Sequence, residues 1–204
     1  ALLAALTMCV GNLIALRQRD LKRMLACSSI AQMGYIMLAF AFGMGLSGRG
    51  TEIGFIGGLY HILGHVFMKG GAFLCAGAFL YAIRTRSLDE MKGIGKALPL
   101  VGIPYTLCVL ALNGMPPMTG FVSEIFICRA GIEMEGLGML FVFLMLANIV
   151  LSLGYYVPSV AGVVSSSGVP SAPSSRAGLP SSSSRTACWS SRRDSCSSLI
   201  ACCS

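Results

Sequence analysis

Residues 53–83 read IGFIGGLYHILGHVFMKGGAFLCAGAFLYAI. A helix needs ~20 mostly apolar residues to cross a bilayer, so this run is roughly ten longer than one crossing requires. Its only basic side chains are His61, His65 and Lys69, and His61 and His65 are the two histidines of the whole chain. Gly57, Gly58, Gly64, Gly70, Gly71 and Gly77 punctuate the run, which predicts tilt, a kink or a broken turn.

The composition around this segment has the same character. The 204 residues are 55% hydrophobic and 11% charged, with a mean hydropathy of +0.76, where soluble globular domains carry ~25% charged residues. An ordinary soluble domain is excluded, and lipid is the expected solvent. The net charge of +7 comes from 15 Lys and Arg gathered in short clusters between apolar runs. That pattern marks membrane flanks and not a nucleic-acid face.

Four further spans are drawn outward from residues 53–83: 1–16, 24–46, 99–128 and 137–157. The run 99–128 is interrupted by Gly114-Met115-Pro116-Pro117-Met118-Thr119-Gly120. Two prolines remove backbone donors there and the glycines permit non-helical angles, so it reads as two half-helices of one crossing. Non-helical backbone at membrane depth is tolerated only beside protein or a water-filled cavity, which implies a polar interior nearby.

Charge alternation supports that layout. Residues 17–23 and 84–96 each carry four Lys or Arg, while 47–52 and 129–135 carry one each. The basic loops are therefore placed in the cytoplasm and the N-terminus outside. The fold class is all-α: a polytopic transmembrane bundle with one discontinuous helix. Residue 1 is Ala, inside an apolar run without a basic leader, which reads as an internal piece of a longer chain and not a signal peptide.

Two regions are distinguished: 1–157, the transmembrane domain, and 158–204, a low-complexity tail. The tail holds 17 serines in 47 residues, against 6 in the preceding 157, and no Phe, Met, Lys or Tyr. It cannot build a core, and it is either a disordered cytoplasmic tail or a stretch read in another frame. Cys9, Cys27, Cys75, Cys108 and Cys128 lie singly in or beside apolar segments and are read as small packing residues.

His61, His65 and Lys69 are spaced i, i+4, i+8, which places them within about an 80° arc of one helix face over ~12 Å. One unpaired charge at the bilayer centre costs ~2.5–3.5 kcal/mol even on the lenient insertion scale, so three on one face imply a cavity or partners. Imidazole accepts and donates through its two nitrogens, and a desolvated lysine releases its proton more readily. Lys69 is thus expected to store a proton, with the histidines linking it to water. The alternative is that the histidines bond to groups on adjacent helices and Lys69 snorkels to an interface.

Glu124 falls at the beginning of the second half-helix, either as a relay carboxylate or as a plain helix-terminus acid. Within ~4 Å of Lys69 it would be attracted by ~4 kcal/mol at an effective dielectric of ~20. Lys22, in the basic loop, is a positive-inside anchor or a proton-uptake residue. Ser28, Ser29, Gln32, Asn148 and Ser152 are read as interhelical hydrogen-bonding groups. His61-x3-His65 lacks the Glu of a metalloprotease pair, and two histidines one turn apart cannot clasp a haem from both sides. No catalytic residue, metal or cofactor is expected.

Three stretches together carry a family likeness: RDLKRMLACSSIAQMGY at 19–35, His61-x3-His65-x3-Lys69 followed by GGAFL, and GMPPMTGFVSE at 114–124. In this order and spacing the chain, from Ala1 to about Tyr156, closely resembles the antiporter-like membrane subunits of respiratory complex I. The same superfamily includes the large subunits of multisubunit sodium/proton antiporters and of membrane-bound hydrogenases. The resemblance implies inverted repeats with discontinuous helices, of which this chain is the later part of the second. By likeness, His61, His65 and Lys69 correspond to central-axis residues and Glu124 to the charged residue of the second broken helix, where relatives carry Lys or Glu.

The family's upstream buried Glu and Lys would precede Ala1, and its further spans beyond Tyr156 are replaced by the Ser-rich stretch. The implied role is a non-redox, proton-translocating subunit of an NADH-quinone oxidoreductase-type complex, working with other membrane subunits in the cell's inner (cytoplasmic) membrane. Sodium/proton exchange and hydrogenase association are the alternatives.

Overall fold

In the computed structural model the described residues are 1–45, 49–134 and 136–165, with 49 and 50 described by their backbone alone. They form α1 (Leu2–Leu16), α2 (Leu21–Gly45), α3 (Arg49–Ile83), α4 (Ile94–Ala97), α5 (Pro99–Leu112), α6 (Thr119–Glu133) and α7 (Gly138–Val164). The bundle is all-α and multi-pass. Helices α2, α7 and residues 51–83 of α3 are each long and apolar enough to span a bilayer, while α1 and α5 are shorter apolar helices.

Local chemistry sets the helix ends. Asp20 caps α2, its Oδ1 accepting from the backbone N–H of Lys22 at 3.0 Å and of Arg23 at 3.3 Å. Pro99 starts α5, where a missing N–H costs nothing. The crossing 99–128 breaks where its sequence predicts. Asn113 closes α5, Gly114 takes φ +68°, the Pro116–Pro117 bond is cis, and α6 starts at Thr119.

Two expectations change. Of the tilt, kink or broken turn expected in α3, the broken turn is absent: the helix is continuous from Arg49 to Ile83, because consecutive glycines weaken a helix only by propensity and in a packed bundle neighbouring helices outweigh that. Helix α7 carries Pro158 in its interior and runs on to Val164, past the composition boundary at 157. Residues 166–204 of the Ser-rich stretch lie outside the described residues.

The two basic loops meet. Asp20 and Ser87 form an isolated antiparallel bridge, with Leu21 N–H donating to Arg86 O (3.1 Å) and Leu88 N–H to Arg19 O (3.0 Å). Gly93 N–H donates to Gly162 O near the end of α7 at 2.9 Å. The ends of α1, α3 and α7 therefore share one end of the bundle with the starts of α2 and α5, as five crossings with one broken helix demand.

Packing is inside-out, as in a lipid-facing bundle. Phe67 and Leu74 on α3 are each 77% exposed, whereas Lys69 is 5% exposed. Lipid offers no hydrophobic force between helices, so they associate by close contact. On α1 and α2, Gly11 and Gly34 make this possible: a Cβ on Gly11 would lie 2.5 Å from Ala31 N, and one on Gly34 would lie 2.8 Å from Met8 N. The five cysteines of these helices are free thiols.

Buried side chains divide into three levels. One apolar cluster, with Leu21, Leu25, Phe79, Tyr105, Tyr156 and Val163, fills the basic-loop end. A second, with Met8, Leu38, Phe42, Ile127 and Met145, fills the other. Between them lie Asn12, Ser28 and Gln32, His61, His65 and Lys69, Ser123 and Glu124, Asn148 and Ser152, while buried Ser159 sits within the basic-end cluster, bonded to Tyr105.

Candidate functional site

Helix α3 supplies the centre of this polar level. His61 (2% exposed), His65 (7%) and Lys69 all turn inward, and the His61 and His65 rings stack with centroids 6.3 Å apart and 14° between planes. The spacing of four keeps them on one stripe with Met68, Ala72, Ala76 and Phe79, whose burial fixes the helix's rotation.

His61 is held at both ring nitrogens. Nε2 lies 2.8 Å from Gln32 Oε1, and Nδ1 lies 2.8 Å from Ser123 Oγ. Gln32 Nε2 donates to Leu112 O at 3.2 Å, at the end of α5, so its Oε1 is the acceptor and His61 Nε2 carries a proton. Ser123 Oγ also lies 2.7 Å from Gly120 O. One hydroxyl proton cannot serve both contacts fully. With neutral His61 the hydroxyl donates to Nδ1; with a doubly protonated ring Nδ1–H donates to Oγ and the hydroxyl turns to Gly120 O. The network thus accommodates either state of the imidazole.

Lys69 sits in a comparable cage. Nζ donates to Leu25 O (3.0 Å), Ser28 Oγ (2.6 Å) and Tyr156 OH (3.3 Å), and lies 5.7 Å from the Tyr156 ring centroid. Three acceptors match the three protons of an ammonium. Two of them are hydroxyls, which can turn and donate to a neutral amine. Among the described residues no carboxylate lies within 4 Å of Nζ, and the ion pairs are Lys92–Asp89 and Arg129–Glu133 at the surface. Lys69 does not snorkel.

Glu124 is buried (7% exposed) but stands in the second turn of α6, beyond the first turn that starts at Thr119. The terminus-acid reading is corrected accordingly, since the dipole's effect is confined to the first turn. Its carboxylate lies against Gly114, where any Cβ would collide with Oε2. It lines a cavity of about 460 Å³ between α6 and α7, walled by Phe121, Ile125, Leu146 and Ile149, with Arg129 and Glu133 on its rim. Glu124 is therefore near Ser123 and His61 in the chain of elements, but not paired with Lys69.

Lys22 is separate from this cluster, half-buried in the first turn of α2. Ser28 and Gln32 are direct ligands of Lys69 and His61, more than helix-packing groups. Ser152 Oγ bonds Asn113 Oδ1 at 2.6 Å, joining α7 to the break. The residues without a sequence signal are Ser123, Tyr156, Tyr155 and Asn12. Tyr155 OH donates to Asn12 Oδ1 at 2.8 Å, and Asn12 Nδ2 donates to Asn148 Oδ1 at 3.0 Å. The inward spacing of Asn12 and Asn148 on apolar helices could have flagged that pair.

Residues 1–152 match the family described as NADH:quinone oxidoreductase/Mrp antiporter, transmembrane. F(420)H(2) dehydrogenase subunit N of Methanosarcina mazei is 40% identical over 164 residues, 76% of this chain and 31% of that protein. NAD(P)H-quinone oxidoreductase subunit 2 of Thermosynechococcus vestitus is 38% identical over 162 residues, 79% of this chain and 30% of that protein. Among solved structures, the Mrp complex of Dietzia sp. superposes with a TM-score of 0.75 at 25% identity, over 83% of this chain and 30% of that one. Respiratory complex I of Thermus thermophilus superposes with a TM-score of 0.65 at 31% identity, over 88% and 38%. The chain spans about three-tenths of the length of the curated relatives it matches. It belongs to the NADH:quinone oxidoreductase/Mrp antiporter transmembrane family.

Proposed function

We propose that this member of the NADH:quinone oxidoreductase/Mrp antiporter family is the relay segment of a proton-translocating membrane subunit. It passes protons through His61, His65, Lys69 and Glu124, with Lys22 at the basic-loop end, within a larger complex of the NADH-quinone oxidoreductase type in the cytoplasmic membrane. The redox chemistry belongs to other subunits. The observation that carries this reading is the cage of Lys69: a buried amine held by one carbonyl and two hydroxyls, with no counter-ion among the described residues.

A carboxylate ~4 Å away would hold the ammonium by ~4 kcal/mol at an effective dielectric of ~20 and lock it. Hydroxyls change between donor and acceptor by rotation, so loss or gain of one proton leaves no group stranded. One further group supports a hydrated seam: His65 Nδ1 is buried without a hydrogen-bond partner among the described residues, and such an atom is ordinarily met by water.

The test is proton uptake into proteoliposomes holding the chain, driven by a potassium diffusion potential. Uptake above that of empty vesicles, abolished by Lys69→Ala with helix content retained, is expected. Uptake unchanged by Lys69→Ala refutes the role. A second reading, sodium/proton exchange, is favoured by the likeness to the Mrp complex. It requires that a sodium gradient alone drive proton movement.

A further inference from the structure

The cavity between α6 and α7 sets one carboxylate among apolar walls. Glu124 is 7% exposed, and among the described residues its carboxylate has neither a hydrogen bond nor an ion pair. Phe121, Ile125, Leu146 and Ile149 wall the cavity, and Ile125 and Leu146 are exposed, so it opens toward lipid. Its volume of about 460 Å³ falls in the ~300–1,000 Å³ range of small-molecule sites. Arg129 and Glu133, paired with each other at 3.5 Å, stand on the rim. At ~1.5 Å rise per residue they lie ~8–14 Å along α6 from Glu124.

An ionised carboxylate without a partner is costly among apolar groups. The group that fits here is a cation carrying its own apolar cover. A hard metal ion such as calcium takes roughly six to eight oxygen ligands, which these walls do not offer. The ammonium of a phospholipid stays with its headgroup at the interface, whereas Glu124 lies a turn or more of helix below the rim. A primary ammonium has three N–H donors, so the two carboxylate oxygens leave at least one of them unmet against hydrocarbon. A tertiary ammonium has a single N–H, and one carboxylate satisfies it completely.

We propose that this cavity binds a lipophilic tertiary amine drawn from the bilayer, its N–H on the Glu124 carboxylate and its apolar body between α6 and α7. A neutral amine meeting the protonated acid takes its proton: the carboxyl O–H bond breaks, an N–H bond forms, and an ammonium–carboxylate pair results. No proton enters or leaves the site in that step. Binding of this kind does not require that Glu124 pass protons to His61 or Lys69.

The experiment uses the whole chain in phosphatidylcholine proteoliposomes and N,N-dimethyldecylamine with a diazirine in its alkyl chain, the adducts being located by mass spectrometry after illumination. Adducts are expected on the facing stretches of α6 and α7, and excess N,N-dimethyldecylamine without the diazirine removes them. Glu124→Gln, which keeps the side chain's shape, lowers labelling at least tenfold. Ile149→Trp, which fills the cavity and leaves the carboxylate in place, lowers it at least fivefold. The alcohol with the same chain and diazirine labels at a tenth of the amine's level or less.

Labelling of Glu124→Gln equal to the parent's, with helix content retained by circular dichroism, overturns the proposal. Where Glu124→Gln loses helix content, the alcohol decides: labelling as strong as the amine's shows an apolar groove without a cation site and overturns the proposal equally. Neither readout uses proton flux, so flux indifferent to Lys69→Ala overturns the relay reading and leaves this site standing.

Discussion

On the proposed relay, Ser123→Ala isolates the proton-dependent step at His61. In the native network an Nδ1–H donates to Ser123 Oγ, 2.8 Å away, while the serine proton turns to Gly120 O at 2.7 Å. Alanine removes the acceptor for Nδ1–H. A neutral ring loses one hydrogen bond between neutral groups at Nδ1, worth ~0.5–1.5 kcal/mol. A doubly protonated ring loses a charge-assisted one, worth ~1.5–3 kcal/mol, so the protonated state is disfavoured by a further ~1–1.5 kcal/mol. At ~1.4 kcal/mol per factor of ten, the protonated population at fixed pH falls about 5- to 10-fold. The assay is proton flux in proteoliposomes, with imidazole nitrogen NMR reporting the state of His61. Flux is expected to fall in proportion to that population, and Ser123→Thr, which keeps a hydroxyl, should restore most of it. Native flux in Ser123→Ala, or a His61 spectrum unchanged from the parent, would refute the reasoning.

Three further substitutions probe the surrounding structure. Lys69→Met should abolish flux yet shift the thermal midpoint by only a few degrees, because Leu25 O keeps the Ser28 hydroxyl at 3.0 Å and the Ser28 and Tyr156 hydroxyls each lose one donor while no charge is stranded; calorimetry in detergent checks this. Gly114→Ala places a Cβ at φ +68° against the Glu124 carboxylate, so a loss of roughly 1–3 kcal/mol in stability is expected, read as a lowered denaturation midpoint that Glu124→Ala partly restores. Gly34→Leu should separate α1 from α2, since a Cβ on residue 34 would already come within 3 Å of Met8 N and Ala4 O; protease susceptibility of the 17–20 loop should rise.

The spans and the break were legible because bilayer thickness and the Pro116-Pro117 pair act locally. Residues 53–83 could only be one long helix or a kinked one, and nothing within the run decides between them; the neighbouring helices do. The inward direction of His61, His65 and Lys69 was also legible, as a periodicity. Their partners were not, because Gln32, Ser28, Ser123 and Tyr156 come from three other helices, and which side chains meet depends on docking geometry that no single-helix pattern encodes. Glu124 shows the same limit at shorter range. Its place relative to the helix start depended on whether α6 begins at Thr119 or past Gly120, and a shift of two residues takes a carboxylate out of reach of the terminal N–H groups.

The partner chemistry also explains why the two basic sites and the acid are kept separate. Had Glu124 met Lys69, the pair would be satisfied in one state only, and releasing a proton would strand a buried charge at a cost of several kcal/mol. His61 and Lys69 are instead surrounded by hydroxyls, a carboxamide and carbonyls, so that either occupancy is met by rotating an O–H bond. The barrier to changing state is then a reorientation and not the rupture of an ion pair. Stability is supplied by the apolar clusters at the two ends of the bundle, which leaves the middle level free to consist of groups with two acceptable arrangements. A substitution that brings a carboxylate to the cage, such as Ser28→Asp, should therefore bind the Lys69 proton more firmly and slow its transfer, even though it adds an attractive contact. Flux in that variant equal to or above the parent's would contradict this account.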